Sequence, residues 1–133
     1  MKIIDCVTFF DEEILLNIRL NILYDYVDKF IISEGGYDHR GKKRETKFNI
    51  NHYKNFSDKI VYIKVDDFPS FDDPWSMLRH QRNSSLKYLK DFDPNDYVLI
   101  SDVDEIPNPE KIKEFINSKN EIGVFKQLFF YYK

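Results

Sequence analysis

The chain predicts an α/β fold, a mostly parallel sheet with helices on both faces, and three observations support it. Short apolar runs alternate with longer stretches of helical period. Several of the runs are apolar throughout, as expected of strands covered on both sides. The length, 133 residues, suits one layered domain with a real core.

Residues 3 to 9 (Ile-Ile-Asp-Cys-Val-Thr-Phe) read as the first strand. Asp11, followed by Glu12 and Glu13, is placed to cap a helix over about 12–26. Its apolar residues form two stripes, Leu15, Ile18, Ile22 and Tyr26 beside Leu16, Leu20, Leu23 and Val27, so a wide face is expected to pack on the sheet. Residues 29 to 33 form a second strand that stops at Glu34-Gly35-Gly36, and a polar, basic loop follows from Tyr37 to about Lys47. Residues 60 to 65 form the third strand. Asp73 before Pro74 then supplies an N-cap and a first-turn proline for a helix over about 75–90. The fourth strand is the run that begins at Tyr97 and ends in Asp102-Val103-Asp104. Pro107 and Pro109 close it, Asn108 can cap, and Ile112, Phe115 and Ile116 mark a helix over 110–118. An apolar segment, 122–132, ends the chain. No internal repeat, low-complexity tract or second domain is visible, so residues 1–133 form a single domain.

Composition narrows the function classes. With 42% hydrophobic and 17% aromatic residues the chain is too apolar for a disordered segment. A net charge of −3 provides no general basic field for nucleic acid. The single cysteine, Cys6, has no partner in the chain and sits in an apolar run, where a buried thiol is the default. An acid arrives at the fifth residue, and no apolar run approaches the roughly 18 residues of a membrane span. The expectation is a soluble, cytoplasmic protein with no membrane span.

In open α/β sheets ligands bind beyond the carboxyl ends of the strands. Four such ends are polar: Thr8 to Asp11, Ser33 and Glu34, Asp66 and Asp67, and Asp102 to Glu105. Capping and solvated turns account for Asp11, Asp66 and Asp67. Asp102 and Asp104 differ, because they directly follow an uncharged run whose strand is expected to be central. Extended chain puts both carboxylates on one side with Val103 opposite. Two adjacent carboxylates repel unless a proton or cation lies between them, and Mg²⁺ or Mn²⁺ with oxygen ligands answers that need. Elsewhere, the basic loop at 38–47 is placed to meet phosphates or simply to be solvated. Arg79, Arg82 and Asn83, at i, i+3 and i+4 beside Trp75 and Leu86, are placed to touch a ligand or brace the Asp102 loop.

Taken in order, several stretches resemble glycosyltransferase family 17: Asp5-Cys-Val-Thr-Phe-Phe-Asp-Glu-Glu, Ile32-Ser-Glu, His39-Arg-Gly-Lys, Val65-Asp-Asp-Phe-Pro, Gln81-Arg and Ser101-Asp-Val-Asp-Glu-Ile-Pro. The last is the most specific, and together they span nearly the whole chain. The resemblance implies a GT-A nucleotide-sugar fold and transfer of N-acetylglucosamine from UDP-N-acetylglucosamine to a glycan acceptor, with inversion. It also implies that Asp102 and Asp104 hold Mn²⁺ or Mg²⁺ against the donor diphosphate. Thr8, Phe9 and Glu34 then line the uridine pocket, and Arg79, Arg82 and Asn83 approach from the helix side. The resemblance further places the general base and acceptor contacts well beyond the metal motif, and only 29 residues follow Asp104. A donor-binding half, C-terminally incomplete, is therefore expected, with Glu105 orienting the loop and no residue in the role of base.

Two other readings use some of the same residues. A non-catalytic domain that binds a nucleotide sugar or a partner needs no base. A Toprim-like nucleic-acid enzyme would use Glu34-Gly35 and Asp102-x-Asp104, although Glu34 follows the second strand and the chain is acidic.

Overall fold

The computed structural model describes residues 1–90 and 92–127. Four parallel strands, β1 (Ile3–Phe9), β2 (Lys29–Gly35), β3 (Ile60–Val65) and β4 (Tyr97–Asp102), form one sheet in the order β3-β2-β1-β4. Parallel neighbours require crossovers. These are α1 (Glu13–Leu23) between β1 and β2, a 3-10 helix (Ile50–Lys59) between β2 and β3, and α2 (Pro74–Asn83) with α3 (Leu86–Leu89) between β3 and β4. The helix α4 (Pro109–Ser118) follows β4. The predicted α/β class and the parallel sheet are both present. The end of the 122–132 segment lies outside the described residues.

Alternation along the strands divides the core into two layers. Val7, Phe9, Phe30 and Ile32 face Leu16, Leu20 and Leu23 of α1, and this layer continues to Tyr53 of the 3-10 helix and Ile112 of α4. Ile4, Cys6, Ile31 and Ile63 face the other way, toward Phe68, Leu89 and Phe92. Helices thus cover both faces.

Several elements differ from the pattern expected of them. Strand β4 is at the sheet edge among the described residues, not central, because the β3–β4 crossover carries the chain past β2 to the far side of β1. Its Val98 and Ile100 are 40% and 58% exposed, so an uncharged run was no guarantee of burial. Helix α1 buries one stripe, Leu16, Leu20 and Leu23, while Leu15, Ile18 and Ile22 stay partly exposed, since a cylinder meets a sheet along one line of contact. Asp11 does not cap it; the Glu12 carboxylate reaches back to the N–H groups of Phe10 and Asp11 instead.

The expected helix over 75–90 breaks into α2 and α3 at Ser84 and Ser85, both buried. The Ser84 hydroxyl donates to the Gln81 carbonyl, a local bond that competes with the helical ladder. The caps at Asp73 and Asn108 form as expected, each accepting from an N–H two residues on, with proline directly after. Residues 50–59, which lack a clear period, form the kinked 3-10 helix. No helix among the described residues is long and apolar enough to cross a membrane.

Burial pushes the Cys6 thiol up to about 12, with the neighbouring Asp5 charge acting in the same direction. At pH 8 the thiolate fraction is then about one in ten thousand. A disulfide reagent at pH 8 is expected to leave Cys6 unmodified in the native chain and to react stoichiometrically in guanidinium; rapid native labelling would contradict this burial.

Candidate functional site

The strand order reverses between β1 and β4, and this is where an open α/β sheet forms its ligand crevice. The parallel register sets Thr8 directly beside Asp102 at the carboxyl ends of the two strands. A cleft of about 260 Å³ opens there, lined by Thr8, Phe9, Phe10, Glu12, His39, Leu78, Gln81, Asp102, Val103 and Asp104.

The acidic motif is built as a turn. Strand β4 ends at Asp102, and the N–H of Glu105 donates to the Asp102 carbonyl at 3.0 Å. Asp102 and Asp104 are therefore gathered by a turn and not by the pleat of continuous extended chain. Val103, between them, is buried in the core. One oxygen from each of Asp102, Asp104 and Glu105 lies within 4.8 Å of the others. The Glu105 Oε1 accepts the Asp102 N–H at 2.9 Å, so Glu105 orients the loop.

The donor set suits a hard divalent ion. Three carboxylates share this small volume, and Arg82, paired with Asp102 at 3.2 Å, is the one cation bonded to any of them among the described residues. One Asp102 oxygen, both Asp104 oxygens and one Glu105 oxygen have no hydrogen-bond donor there.

Beneath this turn lies Arg19, fully buried in the middle of α1. Its Nε and one Nη donate to the two oxygens of Asp5, also fully buried, at 2.7 Å each. The remaining N–H groups reach the Ser101 hydroxyl at 2.7 Å and the carbonyls of Asp102 and Glu105 at 2.9 Å each. All five guanidinium donors are thus used. Ser101 in turn donates to the Glu105 carbonyl.

The other sequence-predicted residues have different positions. Thr8 lines the cleft, and so does Phe9, although its ring belongs to the core. Arg82 is partly exposed and meets Asp102, whereas Arg79 bonds to Ser76 and Asn83 is exposed; neither lines the cleft. Glu34 does not line it either. Strand β2 runs two residues further than expected, so Glu34 lies within it, fully buried. Its carboxylate accepts from Arg44 at 3.0 Å, the Lys47 and Phe48 N–H groups at 2.7 and 3.1 Å, and the Tyr62 hydroxyl at 2.7 Å. Glu34 therefore braces the basic loop, and with both oxygens occupied it cannot share a metal with Asp102 as a Toprim-like site requires.

The basic loop is folded. Asp38 accepts the N–H groups of Arg40 and Lys42 across a turn in which Gly41 has φ +79°, a conformation that favours glycine. Arg44 turns inward to Glu34 and to the Gly35 and Phe10 carbonyls, with its guanidinium 4.1 Å from the Phe10 ring centre. Phe10 also stacks on His39, with centroids 6.2 Å apart and planes 11° from parallel. Phe10 and His39 fall within the strand end and the basic loop singled out from sequence, whereas Glu12, Leu78 and Gln81 were not expected to line the cleft. The Asp66 carboxylate pairs with Lys64 at the surface, and Asp67 pairs with Lys87 and is hydrogen-bonded to the His80 ring, as expected of turn acids.

The sequence profile of Glycosyltransferase family 17 matches residues 1–128. Curated relatives include the proteins named Beta-1,4-mannosyl-glycoprotein 4-beta-N-acetylglucosaminyltransferase of Rattus norvegicus and Homo sapiens. Each is 28% identical over 116 residues, covering 80% of this chain and 22% of its own length. The Mus musculus protein of the same name is 27% identical over the same span. The chain thus corresponds to about a fifth of the length of these relatives. No solved structure matches significantly.

The buried pair under the turn has a measurable consequence. Asp5→Ala leaves the Arg19 charge buried without its carboxylate, and urea unfolding should show a loss of about 3–5 kcal/mol. A loss below about 1 kcal/mol would mean that the pair contributes little.

Proposed function

The chain belongs to glycosyltransferase family 17, and on that premise we propose that it binds a nucleotide-sugar donor, UDP-N-acetylglucosamine, for inverting transfer of N-acetylglucosamine to a glycan acceptor. The four parallel strands then form the nucleotide-binding part of a GT-A-like fold. The observation that supports this most is the gathering of Asp102, Asp104 and Glu105 at the β1–β4 crevice beside Thr8.

Asp102 and Asp104 are the residues suited to hold Mn²⁺ or Mg²⁺, with Glu105 behind them. Such an ion, when bound, supplies positive charge where the departing diphosphate gains negative charge. Arg82 stands beside the same carboxylate and gives it a single Nη hydrogen bond, so its half-exposed guanidinium retains Nη donors for a phosphate oxygen. Phe10, backed by His39 and Arg44, offers an exposed ring at the cleft for the uracil base. Gln81 is held by the Ser33 carbonyl and closes the cleft from the α2 side.

Two further carboxylates at the crevice, Glu12 and Glu105, are each tied to backbone N–H groups. Each keeps one oxygen without a donor among the described residues, and the part we assign to these residues is donor binding. A domain that binds the donor without turning it over uses the same site, and an assay for release of sugar from UDP-N-acetylglucosamine separates the two readings.

Thermal unfolding tests donor binding. UDP with Mn²⁺ should raise the melting temperature, and at about 100 times Kd the added stability should be roughly 2.7 kcal/mol. Asp102→Asn combined with Asp104→Asn should remove the shift. No shift in the wild type at millimolar UDP would overturn the donor reading.

A further inference from the structure

Arg19 lies below the acidic turn and has no exposure to the cleft, yet more of its bonds end on that turn than anywhere else. Of its five donors, two go to Asp5 in β1 and three go to the segment 101–105, which lies more than 80 residues away in the chain. Arg19 holds the carbonyls of Asp102 and Glu105, the first and last of the turn that gathers the carboxylates, at 2.9 Å each, with that of Val103 at 3.5 Å. Ser101 closes a smaller ring by accepting from Arg19 and donating to Glu105.

The placement of these bonds exceeds what burial of an ion pair requires. A buried Arg–Asp pair needs its charges matched and its remaining donors satisfied, and any nearby carbonyls would serve. Here every donor not used by Asp5 goes to one five-residue segment, 101–105. Asp5 fixes the guanidinium plane through a two-point contact, and the plane then fixes the turn.

We propose that Arg19, oriented by Asp5, is a positioning residue for donor binding: it locks the path of the 101–105 turn so that the Asp102 and Asp104 carboxylates stay converged on the crevice. The inference rests on the metal and donor reading given above. Like charges held within 4.8 Å of one another repel, and an untethered turn relieves the repulsion by splaying them apart. The tether resists that movement from the opposite side, through main-chain carbonyls, and leaves the carboxylate oxygens free. A lysine at this position keeps the charge opposite Asp5 but has only three donors on one nitrogen, and it lacks the rigid fork that spans Asp5 and the turn together.

The test is Mn²⁺ binding in the presence of UDP, followed by electron paramagnetic resonance of the free ion, on wild-type chain, Arg19→Lys and Ser101→Ala. Circular dichroism fixes the folded fraction of each. Arg19→Lys should bind Mn²⁺ with UDP at least tenfold more weakly per folded molecule, a loss that lowered stability alone does not produce once the folded fraction is counted. Should Arg19→Lys fail to fold, Ser101→Ala decides, because it leaves the Asp5–Arg19 pair intact and removes one tether; about threefold weaker binding is expected. Variants that fold and bind within twofold of wild type overturn the positioning role and leave the donor reading standing. Absence of Mn²⁺ binding by the wild type overturns the donor reading, and the positioning role with it.

Discussion

A guanidinium sealed from solvent must find an acceptor for every N–H it carries, and the structure is organised around how Arg19 meets that requirement. The side chain enters from α1, takes a carboxylate from β1 and takes the main chain at the end of β4. Two consecutive elements and a third more than 80 residues further on are thereby fixed at one point. Hydrophobic burial around Leu16, Leu20 and Leu23 holds α1 on the sheet, but apolar contact is non-directional and cannot specify the path of a turn. The buried pair supplies that direction, and its desolvation cost is offset only because each donor is satisfied.

This constraint also explains how an edge strand can present an acidic site. Strand β4 has only one neighbour among the described residues, β1, and much of its far face is exposed. Its last residues would otherwise be free to fray. Thr8 is aligned with Asp102 by the sheet register, and Arg19 secures the turn immediately beyond. On the opposite wall, Glu34 performs a comparable task for the loop that brings His39 to Phe10: a buried charge gathers main-chain N–H groups and one arginine. The two walls of the crevice are thus each held by a buried ionic group that does not itself enter the crevice.

Much of this was legible in the sequence. The strand and helix alternation followed from periodicity, and the proline-flanked caps at Asp73 and Asn108 followed from local chemistry that tertiary contacts left intact. Asp102 and Asp104 could be singled out because acids directly after an apolar run need a reason. The edge position of β4 was not legible, since a run without charges looks the same whether neighbours cover it or not. Glu34 was misplaced because two glycines suggested the end of a strand that in fact continues through Gly35. Arg19 does carry a signal in the sequence. It lies between Leu16, Leu20 and Leu23 on the buried stripe, while β1 has a lone acid at Asp5 within its apolar run, and two opposite charges in two buried segments predict each other.

On the reading proposed above, the turn after β4 is a cation site opening onto a nucleotide cleft. A crystal of the chain grown with Mn²⁺ and UDP, measured at the manganese absorption edge, tests it most directly. An anomalous peak is expected at the carboxylates of Asp102 and Asp104, with the diphosphate beside it and the uracil ring against Phe10. UDP bound elsewhere, or in the crevice with no manganese at those carboxylates, would contradict it.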